Sequence, residues 1–228
     1  MSRSAALSRR QRSDGVVLLH GYGRTSRSLK KIERALEAAD FATLNLNYQS
    51  LRKSIEDLAA DIDADVAKFA ATIDGSIHFV GHSMGGLLTR VYLAKYRPPR
   101  LGRVVMLGTP NGGSEVADVA QRLALYRAFC GPAGLQLSTE QDPTLRSLPS
   151  VDYPLGVVAG NRTVDPISSF LILPRPNDGK VSVQRTRLDG MADHIVVRAS
   201  HTGLLRHHAA IEQTIAFLHQ GRFLPAYA

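Results

Sequence analysis

The order of patterns along the chain predicts an α/β protein: a mostly parallel sheet of about six strands with helices on both faces. Two observations carry that expectation. Short apolar runs alternate with segments of helical period from Val16 to Leu218, as repeated strand–helix units do. The run Ile77-His78-Phe79-Val80 leads directly into Gly81-His82-Ser83-Met84-Gly85-Gly86, a strand that turns sharply into a helix.

Val16 to His20 reads as a buried-type first strand. Ser26 is expected to cap a helix to about Ala39, with Leu29, Ile32, Leu36 and Ala39 on one face. Phe41 to Leu46 is the second strand. Ser54, with Asp57 three residues on, opens an amphipathic helix through Ile55, Leu58, Ile62, Val66 and Phe69. Ile77 to Val80 is the third strand, and the helix behind it runs from Leu87 to Tyr96, where Arg97-Pro98-Pro99 stops it. Val104 to Leu107, Leu155 to Ala159 and Ile195 to Ala199 are strands four, five and six, and a last helix spans about Leu204 to Leu218.

Two segments interrupt the alternation. Residues 109–150 form a cap-like insertion after strand four, with a helical pattern at Val116, Val119, Leu123 and Tyr126. It is expected over the carboxyl edge of the sheet, where ligands bind in open α/β folds. Asn161 to Lys180 contains the exposed-looking run Phe170-Leu171-Ile172-Leu173. Phe170 and Leu171 are expected to touch substrate, with ordinary core packing as the alternative.

At 228 residues the chain suits one domain over 15–228, preceded by a basic arm at 1–14 that is expected to be disordered. Apolar residues make up 44% and charged residues 21%, an ordinary globular balance, and no apolar run approaches a membrane span. Arg3, Arg9, Arg10 and Arg12 have no hydrophobic segment behind them, so a secretory signal is not expected and a cytoplasmic location is. The lone Cys130 has no internal disulfide partner, which agrees with a reducing compartment. The net charge of +8 is scattered, with four of the arginines in the arm and no nucleic-acid-binding module. Nucleic acid is therefore not an expected partner, whereas weak contact with an anionic membrane surface is compatible with that charge.

Gly-x-Ser-x-Gly between a strand and a helix has a chemical reason. A serine hydroxyl attacks only when it stands clear of the sheet within reach of a base, and the tight turn supplies that exposure at the cost of backbone strain. Gly81 and Gly85 leave room where side chains would strike the neighbouring strand and helix. Ser83 is the candidate nucleophile, with the Met84 N–H aimed at the developing oxyanion. His20-Gly21-Tyr22-Gly23 ends the first strand and offers the Tyr22 N–H as second donor, and the Tyr22 side chain is a candidate pocket wall.

A base and an acid should follow in that order of function, acid before histidine along the chain. His201 lies in a short loop between the last strand and the last helix, whereas His20, His78, His82 and His194 flank or lie within strands and read as structural. His207, His208 and His219 fall on the last helix. His201 is the candidate base. Asp178, in Asn177-Asp178-Gly179, is the candidate acid; Asp165 is its main rival, and Asp189 and Asp193 are further alternatives. There is no HExxH, Cys pair, Walker loop or GxGxxG after a strand, so neither a metal nor a cofactor is expected.

Taken together, His20-Gly21-Tyr22, Gly81-His82-Ser83-Met84-Gly85, Asn177-Asp178-Gly179 with Val181 and Val183, and Ser200-His201 resemble the α/β-hydrolase fold superfamily, small bacterial lipases and esterases in particular. Gly108-Thr109-Pro110-Asn111-Gly112-Gly113-Ser114 is similar to the Thr-Pro…Gly-Ser segment after strand four of many lipases. The resemblance implies a reduced fold with strand order 2-1-3-4-5-6 and no full lid domain. It also implies a serine hydrolase acting on small-molecule or lipid-like acyl esters through Ser83, His201 and Asp178, with Tyr22 and Met84 as oxyanion hole. Thioesterase, amidase and acyltransferase use the same residues, and a non-catalytic binding protein on this fold is the remaining alternative.

Overall fold

Residues 14–115, 117–118, 131–137, 143–163 and 173–225 are described in the computed structural model of the chain. The strands are β1 (Gly15–Leu19), β2 (Ala42–Asn45), β3 (Ile77–His82), β4 (Leu101–Leu107), β5 (Leu155–Gly160) and β6 (Asp193–Val197). They form one sheet in the order β2-β1-β3-β4-β5-β6, every neighbouring pair parallel. This is the expected order. The described helices are α1 (Lys30–Glu37), α2 (Ile55–Thr72), α3 (Met84–Lys95), α4 (Gly131–Leu135), α5 (Pro143–Arg146), α6 (Val183–Thr186) and α7 (His208–Gln220).

Successive strand residues point to opposite faces, so the inner strands divide the core in two. Val17, Leu19, Phe79, Met106 and Val157 meet Leu58, Ile62 and Val66 of α2 and Leu87, Leu88 and Val91 of α3. Val16, Leu18, Val80, Val105, Leu107 and Val158 meet Ile32 and Leu36 of α1 and Phe217 and Leu218 of α7. A strand covered on both sides has no solvent face to make polar, hence the unbroken apolar runs. Each such side chain contributes roughly 1.5–3 kcal/mol by leaving water.

The element ends depart from expectation in several places. Ser54 does cap α2, its Oγ accepting from Asp57 N at 3.1 Å. Ser26 caps nothing. The chain enters α1 through a 3₁₀ turn, Ser26–Leu29, whose N-cap is Thr25, and Ser26 N donates instead to Asn47 Oδ1 at 3.3 Å. Two strands start earlier than their apolar runs, β4 at Leu101 and β6 at Asp193, because ladder pairing reaches beyond the buried residues. A 3₁₀ turn at Gly203–Leu205 delays the last helix to His208, so His207 is its N-cap rather than part of it.

Within the insertion, α4 is fastened to the start of α2: Ile55 N donates to Gln136 Oε1 at 2.8 Å, and Gln136 Nε2 donates to Glu56. Val116, Val119, Leu123 and Tyr126 lie outside the described residues, as do Cys130, the arm residues before Asp14, Asp165, Phe170 and Leu171. Leu173, expected in an exposed run, is buried, so at that position packing wins. Asp14, placed at the end of the arm, bonds to the sheet: its carboxylate accepts from Ser76 N at 2.7 Å and its carbonyl from Ala42 N at 3.0 Å.

Candidate active site

Tyr22, Ser83, Met84, Asp178 and His201 each lie beyond the carboxyl end of a strand, in the loop, turn or helix start that follows it. Ser83 follows β3 directly and has φ 55° and ψ −126°, one of two non-glycine residues with positive φ among those described. A side chain seldom occupies that region unless its surroundings hold it there. The holding contacts are between main chains. A Cβ at Gly81 would lie 2.6 Å from Gly85 O and Gly86 N; one at Gly85 would strike Leu19 O and lie 2.7 Å from His20 O. Ser83 N donates to Leu107 O at 2.9 Å, tying the turn to β4.

His201 lies in the loop after β6 and Asp178 in the loop after β5. His201 Nε2 is 3.0 Å from Ser83 Oγ, and His201 Nδ1 is 2.8 Å from Asp178 Oδ2. A carboxylate only accepts, so Nδ1 carries the proton and the Nε2 lone pair faces the hydroxyl. Asp178 is 1% exposed, and its Oδ1 accepts from Lys180 N at 2.9 Å and Val181 N at 2.8 Å. The two loops are also joined through their backbones, His201 N donating to Asp178 O at 2.9 Å. Gly108, at φ +57°, lies against the pair; a Cβ there would be 3.1 Å from Asp178 Oδ2 and 3.2 Å from His201 Nδ1. Of the alternative acids, Asp193 is engaged elsewhere, accepting from Phe223 N and His194 N, both at 2.8 Å.

Two histidines read from sequence as structural brace this site. His20 Nδ1 is 2.9 Å from Gly21 O and Tyr48 N lies 3.4 Å from His20 Nε2, so Nδ1 donates and Nε2 accepts. The Tyr48 hydroxyl donates to His20 O, and the two rings stack at 3.9 Å. The carbonyl and N–H of one trans peptide point in opposite directions. Holding Gly21 O against His20 therefore turns the Tyr22 N–H away from that ring. Met84 is the first residue of α3, and its N–H has no acceptor within the helix. The other brace is His82. Its Nε2 donates to His201 O at 3.0 Å, and its ring lies 4.8 Å from that of His201. Burial, then the neighbouring His201, lowers the His82 pKa to about 3, so this imidazole is neutral. Burial also lowers the pKa of His20. The signal for both was their position, immediately before Gly21 and Ser83 of the two motifs.

A cavity of about 470 Å³ opens above Ser83 and His201, with Tyr22, Arg24, Leu137, Lys180 and Val181 among its walls. Tyr22 thus stands where the sequence expected a wall. Among the described residues no group of three or more His, Cys, Asp or Glu is placed to hold a metal ion.

A strand-turn-helix serine, an imidazole after the last strand and a carboxylate after the fifth, on a parallel sheet of this order, define the α/β-hydrolase class. The family model for the alpha/beta hydrolase fold matches residues 16–134, just over half of the 228, and the chain belongs to that family. Triacylglycerol lipases of Pseudarthrobacter phenanthrenivorans and Burkholderia plantarii are each 44% identical to it over 52 residues. Those matches span 23% of this chain and 16% and 14% of the two lipases. In fold the chain is similar to the mature Bacillus licheniformis lipase BlEst2, with TM-score 0.74, 17% identity and coverage of 92% of this chain and 93% of that one. It is also similar to phospholipase PlaB from Legionella pneumophila, with TM-score 0.66, 16% identity and coverage of 89% and 57%.

Proposed function

We propose that this protein hydrolyses carboxylic esters, lipid-like acyl esters in particular, through Ser83, His201 and Asp178. The observation that carries the reading is the continuous hydrogen-bond path from Asp178 Oδ2 through His201 to Ser83 Oγ, 2.8 and 3.0 Å long. The relatives described as triacylglycerol lipases, and the similar folds described as a lipase and a phospholipase, support the ester and lipid-like part. A net charge of +8 supports weak attraction to anionic lipid surfaces.

In this mechanism Ser83 Oγ attacks the ester carbonyl while His201 Nε2 takes its proton. The Tyr22 and Met84 N–H groups receive the negative charge that develops on the carbonyl oxygen, Met84 with the positive end of α3 behind it. The tetrahedral adduct collapses, and His201 hands its proton to the departing alcohol. A water deprotonated by the same imidazole then attacks the acyl-Ser83, and breaking that ester bond releases the acid and restores the hydroxyl. Asp178 holds the tautomer throughout and stabilises the imidazolium between the two transfers.

The test is a chain-length series of chromogenic esters with wild type and Ser83→Ala, together with labelling by a fluorophosphonate. Wild type should label and turn over. Ser83→Ala should not label and should lose on the order of a thousandfold or more in kcat. Equal rates for the two proteins would overturn the proposal.

A further inference from the structure

The cavity above Ser83 has two basic side chains, Arg24 and Lys180, on its described walls. Arg24 reaches it from the loop after β1 and Lys180 from the loop after β5. Both are exposed, and neither side chain is engaged in a hydrogen bond or ion pair. Four cations of the described surface lie in ion pairs, Lys30 with Glu33, Lys53 with Asp61, Arg97 with Asp152 and Arg185 with Glu115; the two at this cavity do not. The one carboxylate among the described cavity walls is that of Asp178. It is buried, and its oxygens are committed to His201, Lys180 N and Val181 N. The rest of the wall includes Pro110, Ala117, Leu137 and Val181, which suit an acyl chain. A cleft with apolar walls and one sign of charge at its mouth concentrates ligands of the opposite sign.

We infer that this site selects esters carrying an anionic group, a phosphate or a carboxylate, within reach of Arg24 and Lys180. The inference rests on the hydrolase reading and specifies its substrate class: an apolar acyl chain lies along the uncharged wall while the anion pairs with the two free cations. Arg24 is close enough to the reacting groups for its charge to oppose protonation of His82. The net charge of +8 draws the same substrates from solution. The anion can enter on either side of the scissile bond, as a phosphate on the alcohol or as a carboxylate at the far end of the acyl group.

Two matched substrate pairs separate these sources. One is a 1-acylglycerol against the 1-acylglycerol 3-phosphate with the same acyl chain; the other is an aryl butyrate against the aryl hemisuccinate. In at least one pair the anionic member should have a kcat/KM about tenfold or more above the neutral one, because a pair of partly exposed charges acts on that scale. The ratio should shrink as salt rises from about 0.05 to about 0.5 M. It should fall towards one in Arg24→Gln/Lys180→Gln and persist in the charge-conserving Arg24→Lys/Lys180→Arg. Circular dichroism and thermal melts check that the variants fold. A ratio near one in both pairs, or a ratio that survives the double Gln change, overturns the inference. If neutral esters still turn over with Ser83 dependence in that case, the hydrolase reading stands alone. If no ester of either pair turns over, the hydrolase reading fails and this inference falls with it.

Discussion

Asp178 is held in one orientation, because the His201 imidazole, two amides and the protein interior fix both its oxygens. In Asp178→Asn the amide still accepts at one oxygen. If its nitrogen faces His201 Nδ1, the imidazole must move its proton to Nε2, where it opposes the Ser83 hydroxyl. We expect kcat to fall roughly 10³- to 10⁴-fold with the fold retained, read from ester turnover beside circular dichroism. An unaffected kcat would remove Asp178 from the mechanism. At this scale the sequence was legible where a residue's place is local to its motif: Ser83 and His201 could each be singled out by neighbouring residues and order, whereas Asp178 stood beside Asp165, Asp189 and Asp193 as candidate acid. The braces were not, since His20 joins Tyr48 across 28 positions and His82 joins His201 across 119. Only folding makes such partners neighbours.

The strand-turn-helix unit is held by main-chain contact, so it should tolerate side-chain change poorly at its glycines. Gly85→Ala places a methyl against the carbonyls of Leu19, the last residue of β1, and of His20, the next residue. We expect a loss of about 1–3 kcal/mol or more in urea denaturation, with ester turnover falling in step as β1 and the Tyr22 peptide are pushed from Ser83. A Gly85→Ala variant of unchanged midpoint and activity would contradict the packing described. The strands were legible from their apolar runs, and their order through the resemblance of the motifs to the α/β-hydrolase fold. Element ends were not. The helix expected from Leu87 begins at Met84, so Gly85 and Gly86 both lie inside α3, where close approach to β1 and Thr109 requires them. Ser26 had the right chemistry for a cap, but a 3₁₀ turn and Asn47 took its place.

Across the molecule, burial lowers the pKa of four histidines, His20, His78, His82 and His194, so each binds its proton less readily in the native state than in the unfolded chain, His82 only at about 3. The unfolded chain protonates them near 6.5, and below that pH it binds more protons than the native state does. Their contribution is thus fully present above about 6.5 and is lost as pH falls; for His82 the window extends down to about 3. Urea midpoints measured from pH 8 to 5 should be level at first and then decline. His82→Gln should make that decline shallower by up to about 1.4 kcal/mol per pH unit. A slope identical in wild type and variant would show that His82 is not held neutral. The approach of β1 to α3 at Gly85 carries an evolutionary corollary as well. Its gauge is the thickness of two polypeptide backbones, which no mutation alters unless it strikes the glycine itself. Residues farther out are free to be exchanged while that spacing endures.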